Sequence, residues 1–408
     1  MIFTLIKNEL IKIFKRGKTW IVFALFALTI TGMGVICYKE AKNTEYYQSP
    51  EGQIESLKDS IKYSKSDIEY YKTVKEEWAK EEITNAESRI KELEKQINTL
   101  EEEIKNNKDN PNEWRESLEE EKKTIEDNLK DSSYSEDDKV SFKQRLEEIN
   151  IYLDKNMKPI EEWKFNGINY GIKFIFMIGT LILAAGIAVF MSDIVSGECT
   201  PPTLKFLLVQ PISRGKVILS KFIAVVITVV TMIGGLEALV VAGISAFTGF
   251  DAGKMPQYIG KAFKWDYTNA AENGGPQLAE VAGSGVLSTR WMYLLESFGL
   301  QILFIIACCA FIFMISAIFK SSMITMAVSV ILCVAATIIP EMSQTIRSIS
   351  RFFFTSYGDT TSLVSGYCAM NFNNPNVTLG FGVIVMIATT IVSYIIGHIV
   401  FNKKDILI

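Results

Sequence analysis

The chain has one histidine and six cysteines in 408 residues, and each shortage removes a class of function. A lone His398 inside an apolar run can complete neither a Ser–His–Asp arrangement nor a zinc site with scattered cysteines. Six dispersed cysteines do not make a disulfide scaffold. Cys37 and Cys368 both fall on the expected outer side, and their pairing stays open. Gly17-Lys18-Thr19 resembles the end of a phosphate-binding loop, but Lys12 stands where that loop needs a glycine. It also opens an apolar run instead of joining a strand to a helix. The acidic runs Glu101-Glu102-Glu103 and Glu119-Glu120-Glu121 lack calcium-loop spacing and read as wet helix faces. The chain therefore reads as a non-enzyme with no cofactor or metal of its own, and no nucleic-acid partner is expected.

Charge is also missing from most of the chain. Between Lys39 and Lys164 lie 34 of the 46 acidic and 23 of the 42 basic residues, a net of −11. The rest carries +7, so the total of −4 hides an acidic, water-soluble insert inside a basic, apolar remainder. A single soluble globule is excluded. Runs of about 18 apolar residues can cross a bilayer as helices. Six are present: Trp20–Tyr38, Phe174–Met191, Phe222–Phe247, Met292–Phe319, Met323–Ile339 and Phe381–Phe401. The first is preceded by cations like a signal peptide, yet Val35-Ile36-Cys37-Tyr38 offers no small-x-small cleavage site, so it reads as a retained span.

Short basic loops stay on the cytoplasmic side. With residues 1–19, 192–221, Lys320 and 402–408 inside, the inner segments hold 12 Lys/Arg against Glu9, Asp193, Glu198 and Asp405. The expected fold is thus an all-α integral membrane protein with six transmembrane helices, N-in and C-in. Its divisions are residues 1–18 as an amphipathic interfacial helix, 19–38 as the first span, 39–165 as an extracellular insert, and 166–408 as the remaining membrane domain. Residues 248–291 and 340–380 then lie outside.

The insert reads as an antiparallel helical hairpin. Ile83, Ala86, Ile90, Leu93, Ile97, Leu100 and Ile104 alternate at three and four residues, a heptad seam. Ile54, Leu57, Ile61, Ser64, Ile68, Tyr71 and Trp78 continue it upstream with a one-residue register change near Glu82, which implies a local adjustment of the supercoil. As one helix, residues 54–106 would reach roughly 80 Å at about 1.5 Å per residue. Turn formers at 106–112 then send a return arm back through Leu118, Ile125, Leu129, Phe142, Leu146, Ile149 and Leu153. Ser135 suits an N-cap before Glu136-Asp137-Asp138. The hairpin serves as a solvated spacer or as a contact arm for a peptide, a protein or a second copy.

Two carboxylates lie inside apolar runs, Glu237 and Glu296. Either they snorkel to outer water or they line the outer end of a transport path.

The most informative inner segment is Ser196 to Lys216. Its middle, Leu204-Lys205-Phe206-Leu207-Leu208, is a short amphipathic stretch closed by Pro211 and followed by cations. Glu198, Thr203-Leu204, Leu207-Leu208, Pro211-Ile212-Ser213-Arg214 and Lys221 resemble the inner loop of the ABC-2 type permeases of ABC exporters. That family has a glycine where Pro202 stands here. Lys7-Asn8-Glu9-Leu10-Ile11-Lys12 is similar to the family's leading amphipathic helix, and Phe401-Asn402-Lys403-Lys404-Asp405-Ile406 to its usual ending. The resemblance covers residues 1–38 and 166–408.

It implies a transport subunit of a bacterial plasma membrane, working with separate ABC ATPase subunits that bind ATP and Mg, and with a second permease copy or a sister permease. Alternating access would move a lipophilic compound or an antimicrobial peptide outward. Glu198, Thr203, Leu204, Leu207, Leu208, Pro211, Arg214 and Lys221 would couple to the ATPase. Arg214 would meet an acidic rim of that partner or anionic headgroups of the lipid bilayer. The same one-span, insert, five-span layout also resembles non-transporting scaffolds or receptors, such as secretion-accessory and phage-receptor-like surface proteins.

Overall fold

The fold comes from a computed structural model that describes residues 2–106, 112–179, 181–198, 213–268, 275–342 and 344–403. The chain forms two compact units. One comprises Met1–Gly34, Ser132–Arg145 and Asn166–Ile408, the other Val35–Asp131 and Leu146–Phe165.

In the larger unit, α1 (Ile2–Lys15) is amphipathic and buries Glu9 and Ile13, one turn apart on one face. It leads into α2 (Gly17–Gln48), whose first half belongs to this unit. Among the described residues, five helices are long and apolar enough to cross a membrane, and six if one bent pair counts as a single span. The pair is α7 (Gly167–Ile178) and α8 (Leu181–Met191), which meet at 68°. The expected second span is therefore broken near Gly179, where a Cβ would come 2.5 Å from the Gly358 carbonyl. The remaining spans are α9 (Arg214–Thr248), α10 (Arg290–Ile318), α11 (Ser322–Met342) and α15 (Leu379–Lys403). The apolar stretch of α10 is 56% buried and that of α2 only 11%, so α10 is the centre on which α7, α8, α9 and α15 pack.

Glycine allows the closest approach. A Cβ on Gly167 would meet Ser245 Oγ of α9 at 2.0 Å, and one on Gly171 would meet Val241 Cγ2 at 2.9 Å.

Between α9 and α10 the described residues add four short strands to the helical plan. β1 (Pro256–Ile259) pairs antiparallel with β4 (Val286–Thr289), and β2 (Phe263–Asp266) with β3 (Gln277–Glu280). The register runs from Pro256↔Thr289 to Ile259↔Val286, then from Phe263↔Glu280 to Asp266↔Gln277. Gly260 and Lys261 donate backbone N–H groups to the Val364 and Ser365 carbonyls of α13 (Thr360–Ser365). Gly366 ends α13 at φ +95, with a Cβ position 1.9 Å from the Lys261 carbonyl, so only glycine fits there.

Residues 340–380, expected to lie outside, fold back into the helices. The turn Phe354–Tyr357 stacks Phe354 on Phe304 and Phe311 of α10, with ring centroids at 5.9 and 5.4 Å. Phe304 stands 14 residues into a 29-residue helix, so this turn reaches the helix's middle.

The smaller unit contains the second half of α2, then α3 (Pro50–Thr73), α4 (Trp78–Asn106), α5 (Glu113–Lys130) and the end of α6 (Glu136–Asp154). Ser49 caps α3 by accepting from Gly52 N, and Pro50 starts the helix where its missing N–H costs nothing. The seam residues are those read from the sequence: Ile54, Ile61 and Ile97 are buried with Leu57, Ile90, Leu93, Leu100 and Ile104 around them. The chain does not run as one helix through 54–106, however. It ends α3 at the extended Val74 and starts again at Trp78, so α3 and α4 pack on each other. The one-residue register change marks a chain reversal instead of a supercoil adjustment. A second pairing joins α5 to α6, where Arg115 donates to Asn156 Oδ1 at 2.8 Å and Lys122 to Asn150 Oδ1 at 2.8 Å. Asp138 N donates to Ser135 Oγ and Ser135 N to Asp138 Oδ2, both at 3.1 Å, which caps α6 reciprocally. Cys37 and Cys368 are both buried, and no disulfide joins them.

Candidate functional site

The site is built at one end of the larger unit, where the short basic segments meet. Lys18 at the start of α2 reaches across to the end of α8, donating to Ser192 Oγ at 3.2 Å and to Asp193 Oδ1 at 3.0 Å. Arg16 adds a second cation 3.6 Å from Asp193 Oδ2. Ser316 Oγ, near the end of α10, accepts the backbone N–H of Val195 and Ser196 at 3.2 and 3.1 Å. Ser196 Oγ bonds Ser322 Oγ at the start of α11. Arg214, the first residue of α9, donates to the Asn402 carbonyl near the end of α15, and Gly215 lies against His398. The described parts of the inner segments inferred from charge thus gather at one end of the helices.

A buried ion pair lies at the centre of that end. Lys221 stands two turns into α9, and its side chain is 1% exposed. Its Nζ lies 2.9 Å from Glu9 Oε2 of α1, while Lys12 Nζ lies 2.9 Å from Glu9 Oε1. Glu9 can be buried because each oxygen has an ammonium donor. Burial alone would push its carboxyl up. The charge and hydrogen bond of Lys221, with Lys12 behind them, outweigh that and hold it below the ordinary glutamate range.

The coupling residues expected from the sequence are placed unevenly. Glu198 closes a short 3-10 turn at Ser196–Glu198, and Arg214 and Lys221 stand at the start of α9. Thr203, Leu204, Leu207, Leu208 and Pro211 lie outside the described residues. Nothing in the sequence marks a partner for Lys221. Glu9 was visible as the single acid of a basic amphipathic helix, but nothing local joined positions 212 residues apart.

The two intramembrane carboxylates part company. Glu237 is 3% exposed and accepts from Gln301 Nε2 of α10 at 3.2 Å. Glu296 is half-buried and makes no hydrogen bond or ion pair among the described residues. The structure pairs Glu237 with an amide and not with Glu296. Beyond Gln301, Thr360 Oγ1 donates to the Ser297 carbonyl at 2.9 Å and Tyr293 to the Thr361 carbonyl at 3.1 Å. A hydroxyl-rich segment, Thr355 to Ser365, is therefore bonded along α10. Its signal in the sequence was six Ser/Thr residues within eleven, in a stretch flanked by aromatic and apolar residues.

At the opposite end from the Glu9 cluster, Lys261 Nζ bonds Glu280 Oε2 at 3.0 Å and Gln144 Oε1 at 2.9 Å, over the rings of Tyr258 and Tyr367. An apolar cavity of about 250 Å³ lies between α2, α7, α8 and α9, with Phe23, Phe26, Ile187 and Met232 in its wall. Groups of acidic, histidine or cysteine residues able to hold a metal ion are absent among the described residues.

The family model for the ABC-2 family transporter protein matches residues 3–406. The chain belongs to the ABC-2 transporter family. The matched range includes residues 39–165, so the relationship is wider than the flanking segments from which the sequence reading drew it. Membership and the apolar helices make this ABC-2 protein a multi-pass membrane component of a transporter. Such components generally carry no ATPase site of their own and associate with ABC ATPase subunits. No curated protein matches the chain.

Proposed function

We propose that the chain is the permease subunit of an exporter in a bacterial plasma membrane, with both termini inside. Separate ATPase subunits dock on residues 198–216. The observation that carries this reading is the Glu9–Lys221–Lys12 cluster. It ties α1 to α9 directly after the docking segment, so a push on that segment is delivered to two helices at once. Buried ion pairs tolerate little displacement, because separating the charges leaves each without its partner in a dry site. Clustering of Arg16, Lys18, Arg214 and Lys221 at one end of the helices supports the inward orientation.

The leucines at 204, 207 and 208, in the amphipathic stretch closed by Pro211, fill a groove on the partner. Glu198 holds the loop through a charge-assisted bond, and Arg214 meets an acidic rim or lipid headgroups. The cargo is a lipophilic compound or an antimicrobial peptide, with Glu237 and Glu296 along its outer path. A second copy or a sister permease completes the membrane part. Replacing Leu207 and Leu208 with Asp should abolish co-purification with the ATPase and stimulated ATP turnover, at unchanged membrane abundance. A doubly substituted protein that still captures a fully stimulated ATPase would overturn the docking assignment and favour a scaffold.

A further inference from the structure

The geometry points to a proton-binding pair inside the membrane, formed by Glu237 of α9 and Gln301 of α10. Both side chains are sealed off, at 3% and 0% exposure. Glu237 Oε1 accepts the Gln301 amide N–H at 3.2 Å, and this is its one hydrogen bond among the described residues. Three buried oxygens at the site have no partner there: Glu237 Oε2, Gln301 Oε1 and Ser297 Oγ. Ser297 is one turn before Gln301 on the same face of α10. Two of the three orphans are acceptors that cannot donate while Glu237 is ionised, and a buried unpaired charge is the costliest arrangement a dry site can hold. A single proton on Oε2 removes the charge. It also turns that oxygen into a donor, which is what Gln301 Oε1 lacks. Acid and amide then bond reciprocally.

The neighbouring charges do not offer an alternative. Of the helices packed on α9, α1 presents Glu9, which is committed to Lys221 and Lys12 at the inner end. On α15, His398 lies beside Gly215, also at the inner end. On α7, Lys173 is exposed, and Asn169 receives Arg290 of α10. Glu296 is half-buried on α10, where Cys308 and Cys309 lie about three and a half turns further in. Asp359, next along the hydroxyl segment, accepts from Thr361 Oγ1 and Ser362 N. None of them bonds Glu237.

Polar groups adjoin the pair: Thr360 Oγ1 donates to the Ser297 carbonyl, and Thr361 Oγ1 donates to the part-buried carboxylate of Asp359. Glu237 stands 23 residues past Arg214 and 11 before Thr248, about 34 and 16 Å along the helix, so the shorter way out leads toward the β element. The exchange is a proton alone. Glu237 Oε2–H breaks as the helices open and water enters, the proton passes to water on that side, and a carboxylate remains. Closure takes one proton back.

This proposal does not rest on the direction of transport or on ATPase docking. The test is infrared difference spectroscopy of the full chain in lipid vesicles around neutral pH. The native protein should show a protonated-carboxyl stretch that is lost in Glu237→Gln and shifted in Gln301→Leu. Glu237→Gln keeps shape and neutrality, so its folding is checked separately by thermal unfolding and should match the native chain. Replacing sodium with choline should leave the band unchanged. A spectrum with no Glu237-dependent protonated band, or a band that appears only when sodium is removed, overturns the proposal; the second outcome would make the pair a metal-cation site.

Discussion

Glu9 and Glu237 are nearly equally buried carboxylates on helices that touch, and the protein treats them in opposite ways. Glu9 has an ammonium on each oxygen, from Lys221 and Lys12. Glu237 has one amide and an orphan oxygen. The first arrangement fixes a charge and a geometry, since moving either helix separates ions in a dry site. The second holds no fixed charge partner, so its helices can part at the cost of one neutral bond. On the proposed function the first would be the stiff end that receives force, and the second the region that opens.

Four outcomes sharpen this contrast. The largest effect belongs to a region that shares neither carboxylate. Ile90→Asp with Ile97→Asp puts two charges into the α3–α4 seam and should cost several kcal/mol, about 2–3 for each buried apolar side chain lost. Circular dichroism should show loss of helix there, while protease protection of the membrane helices persists. Next, Lys221→Met leaves Glu9 with Lys12 alone, and thermal unfolding should report a loss on the order of 3 kcal/mol. Adding Glu9→Gln should restore most of it, because a neutral pair carries no stranded charge.

A smaller effect is expected from acid. Glu9 is held below the ordinary glutamate range in the folded chain, so it binds fewer protons there than in the unfolded chain. Its stabilisation is complete above the ordinary value and fades as pH falls below it through the folded value. In the doubly neutral Glu9→Gln, Lys221→Met chain that acid-dependent loss should shrink when unfolding is followed against pH. Smallest of all, Glu237→Gln should change unfolding stability by less than about 1 kcal/mol, since it replaces one neutral group by another. A large loss there would mean that Glu237 is ionised and that the contrast with Glu9 is false.

Much of the architecture was legible because hydrocarbon leaves few choices. Apolar runs of membrane length form helices, and cations sort the loops, so five long apolar helices and the grouping of Arg16, Lys18, Arg214 and Lys221 followed from sequence, while the break in the second expected span did not. The seam around Ile54, Ile61 and Ile97 was legible too, as a heptad pattern. What periodicity could not settle was the meaning of its slip: a register change reads the same whether the helix overwinds or the chain turns back at Val74. The strands at 256–289 are four residues each, too short to show alternation within a polar segment. Gln301 gave no signal because a neutral amide in an apolar run carries no charge to mark it. The turn at Phe354–Tyr357 looked like outer loop, since its hydroxyls match water as well as they match the Ser350 and Arg351 carbonyls to which they donate.

The central claim is that this chain works with a separate ATPase, and isolating it from its native membrane under mild detergent tests it most directly. The account predicts that an ABC ATPase subunit comes with it in equal amount, hydrolyses ATP in that complex, and is released by the Leu207→Asp, Leu208→Asp substitutions. A chain recovered intact without any nucleotide-hydrolysing partner would contradict it.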